Sequence, residues 1–325
     1  MFRLLCAAFT LVAAIPVAAQ QTVFRGAGDT VRVFVTVTDG DRLVTTLTRE
    51  QFEVRDNGRT QPVTVFDNSP QPIQLVVMLD VSGSMSHNLP LLRAAADALF
   101  ARMRPDDLAR VGTFGREIAI SPAFTNDRAA LRAALPTEIP ESAPTPLWRA
   151  LIDAMAAFDD ADARRRVVLV LSDGHDSGPI GIGSRFASQI DVIDRARERD
   201  VMVYAVGMRG RVAPRPAIGP GGLGAMLSAG MPDPGLGRVA VESGGGYLEL
   251  RGRDDLSAAF ASVMDELHSQ YLIGFAPPAR DGKKHDLDVR VSERGLKVRA
   301  RKDYVAPKTG TTGTTDTTAG YGRQH

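Results

Sequence analysis

The sequence predicts an α/β fold: a doubly wound, mostly parallel Rossmann-like sheet, with an added β subdomain built from the segments that flank it. Three observations carry this reading. Leu75 to Leu79 and Val167 to Leu171 are unbroken apolar runs, as strands buried on both faces require. Stripes of helical period separate them, which is the alternation of a parallel sheet covered by helices. On either side of that region apolar residues recur at every second position, the period of half-buried strands.

In the first flank, residues 22–70, Val31, Val33, Val35 and Val37 share a face opposite Arg32, Thr36 and Thr38. Asp39-Gly40 makes a turn, and Asp56-Asn57-Gly58 is a hairpin signal ahead of Val63, Val65 and Phe66. Residues 71–270 hold the alternating region. Leu92, Ala95, Ala96, Leu99 and Met103 form one helical stripe, and Leu147, Ala150, Leu151, Ala154, Met155 and Phe158 another. Val111 to Phe114 and Glu117 to Ile120 read as strands, Ile190, Ile193 and Ala196 as a helix, and Val201 to Val206 as a third buried strand. Leu256, Ala259, Phe260, Val263 and Leu267 mark the last helix. Residues 271–304 return to strands, where Leu287, Val289 and Val291 precede a turn at Glu293-Arg294-Gly295. Residues 305–325, rich in Thr and Gly, are expected to be disordered. A Gly- and Pro-dense insertion, Arg209 to Gly237, leaves the carboxyl edge of the sheet.

The chain has 325 residues, 44% hydrophobic, enough for a large core and a small satellite. Lys+Arg 39 against Asp+Glu 38 gives a charge near zero, which does not point to nucleic acid or an anionic membrane as partner. Residues 1–19 read as a secretory signal: Arg3, then apolar Leu4 to Val17, then small Val17-Ala18-Ala19. The apolar run is short for a membrane span, so the mature chain is expected to have none. An uncleaved anchor is the alternative weighed. Export to the periplasm, cell surface or medium follows. The single cysteine, Cys6, lies within the signal, which leaves no thiolate nucleophile or thiolate metal site in the mature chain.

Both central apolar strands lead into an aspartate, Asp80 and Asp173, where parallel sheets bind ligands. Asp80-Val81-Ser82-Gly83-Ser84 can turn alternate oxygens inward, and Gly83 relieves crowding. Carboxylates with hydroxyls suit a hard cation that keeps water or an outside ligand. Each element also has a plainer reading: Ser-Gly-Ser as a capped loop, Thr145-Pro146 as a helix start, and Asp173-Gly174 as a turn.

The series Asp80-x-Ser82-x-Ser84, Thr145 and Asp173 resembles the metal-ion-dependent adhesion site of von Willebrand factor type A domains, across about residues 72–270. Val77 to Met85 and Leu171-Ser172-Asp173-Gly174 are the specific phrases. Ser142-Ala143-Pro144 stands where many family members have glycines. The resemblance implies that Ser82, Ser84 and Thr145 contact a divalent ion or its waters, and that Asp80 and Asp173 act largely through water. It implies Mg2+, with Ca2+ or Mn2+ as alternatives, and a protein or matrix partner whose Asp or Glu completes the coordination sphere. Leu47 to Val54, Tyr271 to Phe275 and Leu296 to Lys302 resemble a bacterial subgroup common in acidobacteria, which carries strands on both sides of the type A core.

The function expected is therefore metal-dependent protein binding, without enzymatic activity. A scaffold whose metal only stabilises the fold is one alternative. A metal-dependent phosphohydrolase is another, although Ser82 stands where aspartate-nucleophile phosphatases carry a second acid. His87, His175 and Asp176 could suggest zinc but lack helical ligand spacing, and they are expected to line the rim or order its loop. His268 and His285 are expected to be structural, and Trp148 to pack under the loops. The basic run Lys297, Arg299, Arg301 and Lys302 is expected to be the wet face of a terminal strand.

Overall fold

The structure, a computed structural model, describes residues 30–140, 142–173, 175–178, 186–208, 233–251 and 255–308. The signal segment 1–19 with Cys6, Gly174, residues 209–232 of the expected insertion and the tail from residue 309 lie outside them. The last residues of that insertion, from Pro234, are helical.

The first flank forms β1 (Val31–Asp39), β2 (Arg42–Leu43), β3 (Phe52–Asp56), β4 (Arg59–Gln61) and β5 (Val65–Asp67). The predicted hairpin is present: Asn57 and Gly58 take φ of 46° and 79° between β3 and β4, the left-handed pair that a two-residue turn demands. The central region follows with β6 (Ile73–Asp80), α1 (Leu89–Arg102), β7 (Leu108–Phe114), β8 (Ile118–Ile120) and α2 (Arg128–Ala133). It continues through α3 (Leu147–Ala156), β9 (Arg165–Ser172), α4 (Gln189–Glu198), β10 (Val201–Met208), α5 (Pro234–Glu242), β11 (Tyr247–Leu250) and α6 (Leu256–Leu267). The second flank forms β12 (Tyr271–Phe275), β13 (Lys284–Val291), β14 (Lys297–Arg299) and β15 (Asp303–Val305).

The central sheet has the order β11-β10-β9-β6-β7-β8, parallel except for the β7–β8 pair. The apolar runs divide by parity. Leu75, Val77, Leu79, Val167, Leu169 and Leu171 pack with α1 and α6 on one face. Val76, Met78, Val168 and Val170 pack with α3, α4 and α5 on the other. A run that must serve two cores has no polar position until the strand ends, so the first polar side chains appear together at the carboxyl edge.

The flanks pair with each other. β1 lies antiparallel to β12 and β14, β12 to β5, and β13 to β3 and β15. Val31, Val33, Val35 and Val37 face a separate core with Tyr271, Ile273 and Phe275. Phe34, out of pattern in the sequence, instead packs toward the central core.

Two expectations are corrected here. The helix expected from Ile190, Ile193 and Ala196 is α4, where Ile193 and Ala196 are buried together with Val192 but Ile190 is 61% exposed. A helix with so many charges leaves its face ambiguous in sequence. The basic run is not simply a wet face. Lys297 and Lys302 are exposed, but Arg299 pairs with Glu266 of α6, and Arg301 pairs with Asp200 and donates to Arg32 O. β14 sits against β1, whose polar side is turned to the central domain.

Candidate metal centre

The register of β6 and β9 matches Leu79 with Leu171, so the next residues, Asp80 and Ser172, are neighbours. Ser172 Oγ donates to Asp80 Oδ2 at 2.5 Å, and the amide of Ser82 donates to Asp80 Oδ1 at 2.8 Å. Asp80 is fully buried. Its carboxylate therefore fixes the turn that leaves β6, a role that Ser172 completes and that sequence reasoning did not assign to Ser172.

Ser82 precedes a 3-10 turn over Gly83–Asn88, yet its side chain makes no cap hydrogen bond. The hydroxyl lies instead 3.0 Å from Ser84 Oγ. Ser84 Oγ donates to Asp173 Oδ1 at 2.7 Å. Ser82 and Asp173 are buried, while Ser84 is exposed. The plain reading of Ser-Gly-Ser as a capping loop therefore fails on geometry. Its hydroxyls face each other and the second carboxylate, at a point open to solvent.

Thr145 arrives on a separate loop. Gly83 N donates to Ala143 O at 3.2 Å, tying that loop to the serine turn. Ser177 holds Thr145 at both backbone groups: Ser177 Oγ accepts from Thr145 N at 2.8 Å, and Ser177 N donates to Thr145 O at 2.8 Å. Helix α3 begins at Leu147 with Pro146 in the capping position, so the Thr145 hydroxyl is not the cap. It makes no hydrogen bond to Asp80, Ser82, Ser84 or Asp173. The structure thus joins four of the five expected residues by hydrogen bonds and places the fifth on the adjoining loop.

The loop after Asp173 is held by Asp176 and Asp233. Asp176 Oδ1 accepts from Trp148 N at 3.2 Å, and Asp233 Oδ2 accepts from Asp176 N at 3.3 Å. His175 Nδ1 lies 3.7 Å from the same Asp233 oxygen. Trp148 is buried against Gly235 of α5, where a Cβ would come within 2.9 Å of the indole. His87 is exposed and bonds Ser86. The zinc set weighed from His87, His175 and Asp176 is not assembled, and no group of three His, Cys, Asp or Glu side chains suited to a metal occurs among the described residues. His268 and His285 are structural, bonded to Asp107 and Asp56 respectively.

The electrostatics of the edge are those of uncompensated carboxylates. Burial pushes Asp80 up to about 6, against hydrogen bonds from Ser172 and Ser82, and the charge of Asp173 adds to the rise. Burial also raises Asp173, opposed by the Ser84 hydroxyl. Among the described residues neither carboxylate has a Lys or Arg partner, and Asp173 Oδ2 is buried with no hydrogen bond at all. A buried acceptor without a donor is costly. Two carboxylates and two hydroxyls at one solvent-open point fit a hard divalent cation, which would supply the missing positive charge and take oxygen ligands.

Residues 75–175 match the family model of the von Willebrand factor type A domain, a stretch that contains all five residues. No curated protein sequence matches the chain. Solved structures of similar shape include an aerotolerance-related membrane protein from Bacteroides fragilis, 15% identical, covering 60% of this chain and 98% of its own, with TM-score 0.45. A von Willebrand factor type A protein from Catenulispora acidiphila is 11% identical over 88% of this chain and 76% of its own, TM-score 0.47. Proximal thread matrix protein 1 from the mussel byssus, solved with a zinc-occupied metal-ion-dependent adhesion motif, is 16% identical over 66% of this chain and 50% of its own, TM-score 0.45.

Proposed function

Because the chain carries a von Willebrand factor type A domain, a kind of module that generally mediates protein–protein interaction, we propose that it binds a protein or matrix partner outside the cytoplasm in a metal-dependent way. Ser82 and Ser84 would hold the ion directly. Thr145 would join them through its hydroxyl, which makes no hydrogen bond among the described residues, and Asp80 and Asp173 would act largely through water. The ion is Mg2+ in this reading, with Ca2+ or Mn2+ able to replace it. A partner Asp or Glu would fill the position left open on the Ser84 side.

One observation carries the reading: Ser84 Oγ bridges Ser82 Oγ and Asp173 Oδ1 while Asp173 Oδ2 stays buried and unmatched. Neutral hydroxyls quench little of a cation's charge, so an incoming carboxylate is bound strongly. Asp80 serves through its geometry, since it fixes the backbone that presents both serines. The apolar start of the sequence supports export, and the flanking strands support placement in the bacterial subgroup whose flanks they resemble.

A pull-down from the native envelope, with and without EDTA, tests this. Capture that EDTA abolishes and that Asp80→Ala also abolishes, in a variant that still folds, supports adhesion. Capture indifferent to both leaves only a metal that stabilises the fold. Turnover of a phosphate ester with magnesium would replace the binding reading by an enzymatic one.

A further inference from the structure

We propose that the cleft at the amino edge of the central sheet, between β1 and α4, binds a small organic carboxylate with an apolar body. It lies at the opposite end of β9 from Ser172, roughly 23 Å away at about 3.3 Å per residue, and owes nothing to the metal centre. Its volume is about 200 Å3.

Six arginines line the cleft: Arg32, Arg164, Arg165, Arg166, Arg197 and Arg301. Four are committed to acids, Arg164 to Asp162, Arg166 to Asp160, Arg197 to Asp303 and Arg301 to Asp200. Arg32 and Arg165 remain, against Glu242 alone among the lining acids, and no ion pair joins Glu242 to either. Against six arginines the lining sets four acids, Asp162, Asp200, Glu242 and Asp303, an excess of two positive charges, and Asp160, outside the lining, is shared by Arg166 and Arg199.

Arg165 is the less ordinary of the two. It is 7% exposed, and its contacts are all uncharged: Gln270 Oε1, Leu267 O at 2.8 Å, and the Phe34 ring, whose centroid is 4.5 Å from the guanidinium carbon. Its Nε is buried with no acceptor. Burial lowers its pKa to about 10, which still leaves a cation at neutral pH. The charge of Asp107 acts on it through space and holds that value up, but no carboxylate among the described residues touches it, and an anion in the cleft adds that direct contact. Arg32 is exposed and makes no side-chain hydrogen bond among the described residues, so it can close on such an anion from the solvent side.

The ligand class follows from charge and lining. The excess of positive charge calls for an anion, and the rest of the lining decides between phosphate and a carboxylate. Phe34, Ile193, Val201 and Met202 add apolar wall, which favours a hydrocarbon body behind the carboxylate.

Isothermal titration of the full chain with hexanoate tests this, with hexanamide and inorganic phosphate as controls at matched ionic strength. Hexanoate should bind at least about tenfold more tightly than either control. Arg32→Gln should weaken it by about tenfold, the loss of one charge-assisted hydrogen bond, with an unchanged circular-dichroism melt. Arg165→Lys should weaken it as well. If that variant does not fold, Arg32→Gln decides. No heat with hexanoate, equal affinity for either control, or unchanged affinity in Arg32→Gln overturns the proposal.

Discussion

Ser84 Oγ donates to Asp173 Oδ1 at 2.7 Å across 89 residues of sequence. That bond links the turn after β6 to the end of β9, and its donor is the exposed member of the cluster. Ser84→Ala takes from the buried Asp173 the side-chain donor it has among the described residues, so the metal-free protein should lose about 1–3 kcal/mol, read as a lowered melting temperature. The same substitution should weaken Mg2+ or Mn2+ by about tenfold or more in a calorimetric titration, and unaltered affinity would remove Ser84 from the ligand set.

Metal should also stabilise the folded chain by mass action. At about 100 times its dissociation constant a ligand specific to the native state contributes about 2.7 kcal/mol. Added Mg2+ should raise the melting temperature of the wild type and leave Asp80→Ala where it was. Equal shifts in both would place the ion elsewhere.

Glu266 of α6 accepts hydrogen bonds from Thr36, Tyr204 and Arg299. Gln270 extends the network to Thr36 Oγ1 at 2.7 Å and Tyr204 OH at 3.2 Å. Glu266→Ala strips one acceptor from three donors at the seam between the flanking and central sheets. Chemical denaturation should show a loss of about 3 kcal/mol, and a loss below about 0.5 kcal/mol would mean that the seam does not depend on this residue.

Asp107 ties three segments together. Burial works to raise its pKa, but hydrogen bonds from His268, Arg104 N and Ile73 N outweigh it, and the net shift is downward. A carboxylate depressed in the folded state contributes stability above its unfolded pKa and loses it as pH falls through the folded value. The gap in stability between wild type and Asp107→Asn should therefore be full near neutrality and close below about pH 4. A gap that persists in stronger acid would contradict this.

Trp148 and Gly235 meet where a Cβ would stand 2.9 Å from the indole. Gly235→Ala should cost about 1–3 kcal/mol by overpacking. It should also disturb Asp176, which holds the backbone of Trp148. A lowered melting temperature together with weakened metal affinity is the expected pair of results, read by calorimetry.

Much of this molecule was legible because burial on two faces forces long apolar runs. β6 and β9 could be read that way, together with the aspartates that end or follow them. What stayed hidden depends on direction. β11 is a half-buried edge strand, and its four residues carry no period that separates them from a loop. On α4 the period placed Ile193 and Ala196 correctly, but among so many charges it could not show that Ile190 faces outward and Val192 inward. Arg299 and Arg301 alternate like wet-face residues, and only the pairing of β14 with β1 turns them inward. At the metal centre the residue types were readable. That the Ser82 hydroxyl makes no cap bond and lies beside Ser84, and that Ser84 turns to Asp173, are facts of side-chain orientation.

Leu272 of β12 pairs with Asp67 of β5, while β1 pairs with β12 on its other side. The chain thus enters and leaves the central domain at adjacent points, and the domain hangs as a loop from a three-stranded clasp. Tension applied through the flanking strands is shared across the hydrogen bonds of that clasp before it reaches the parallel sheet. A module gripped this way can be pulled from one pole while the oxygens at its far edge keep their spacing.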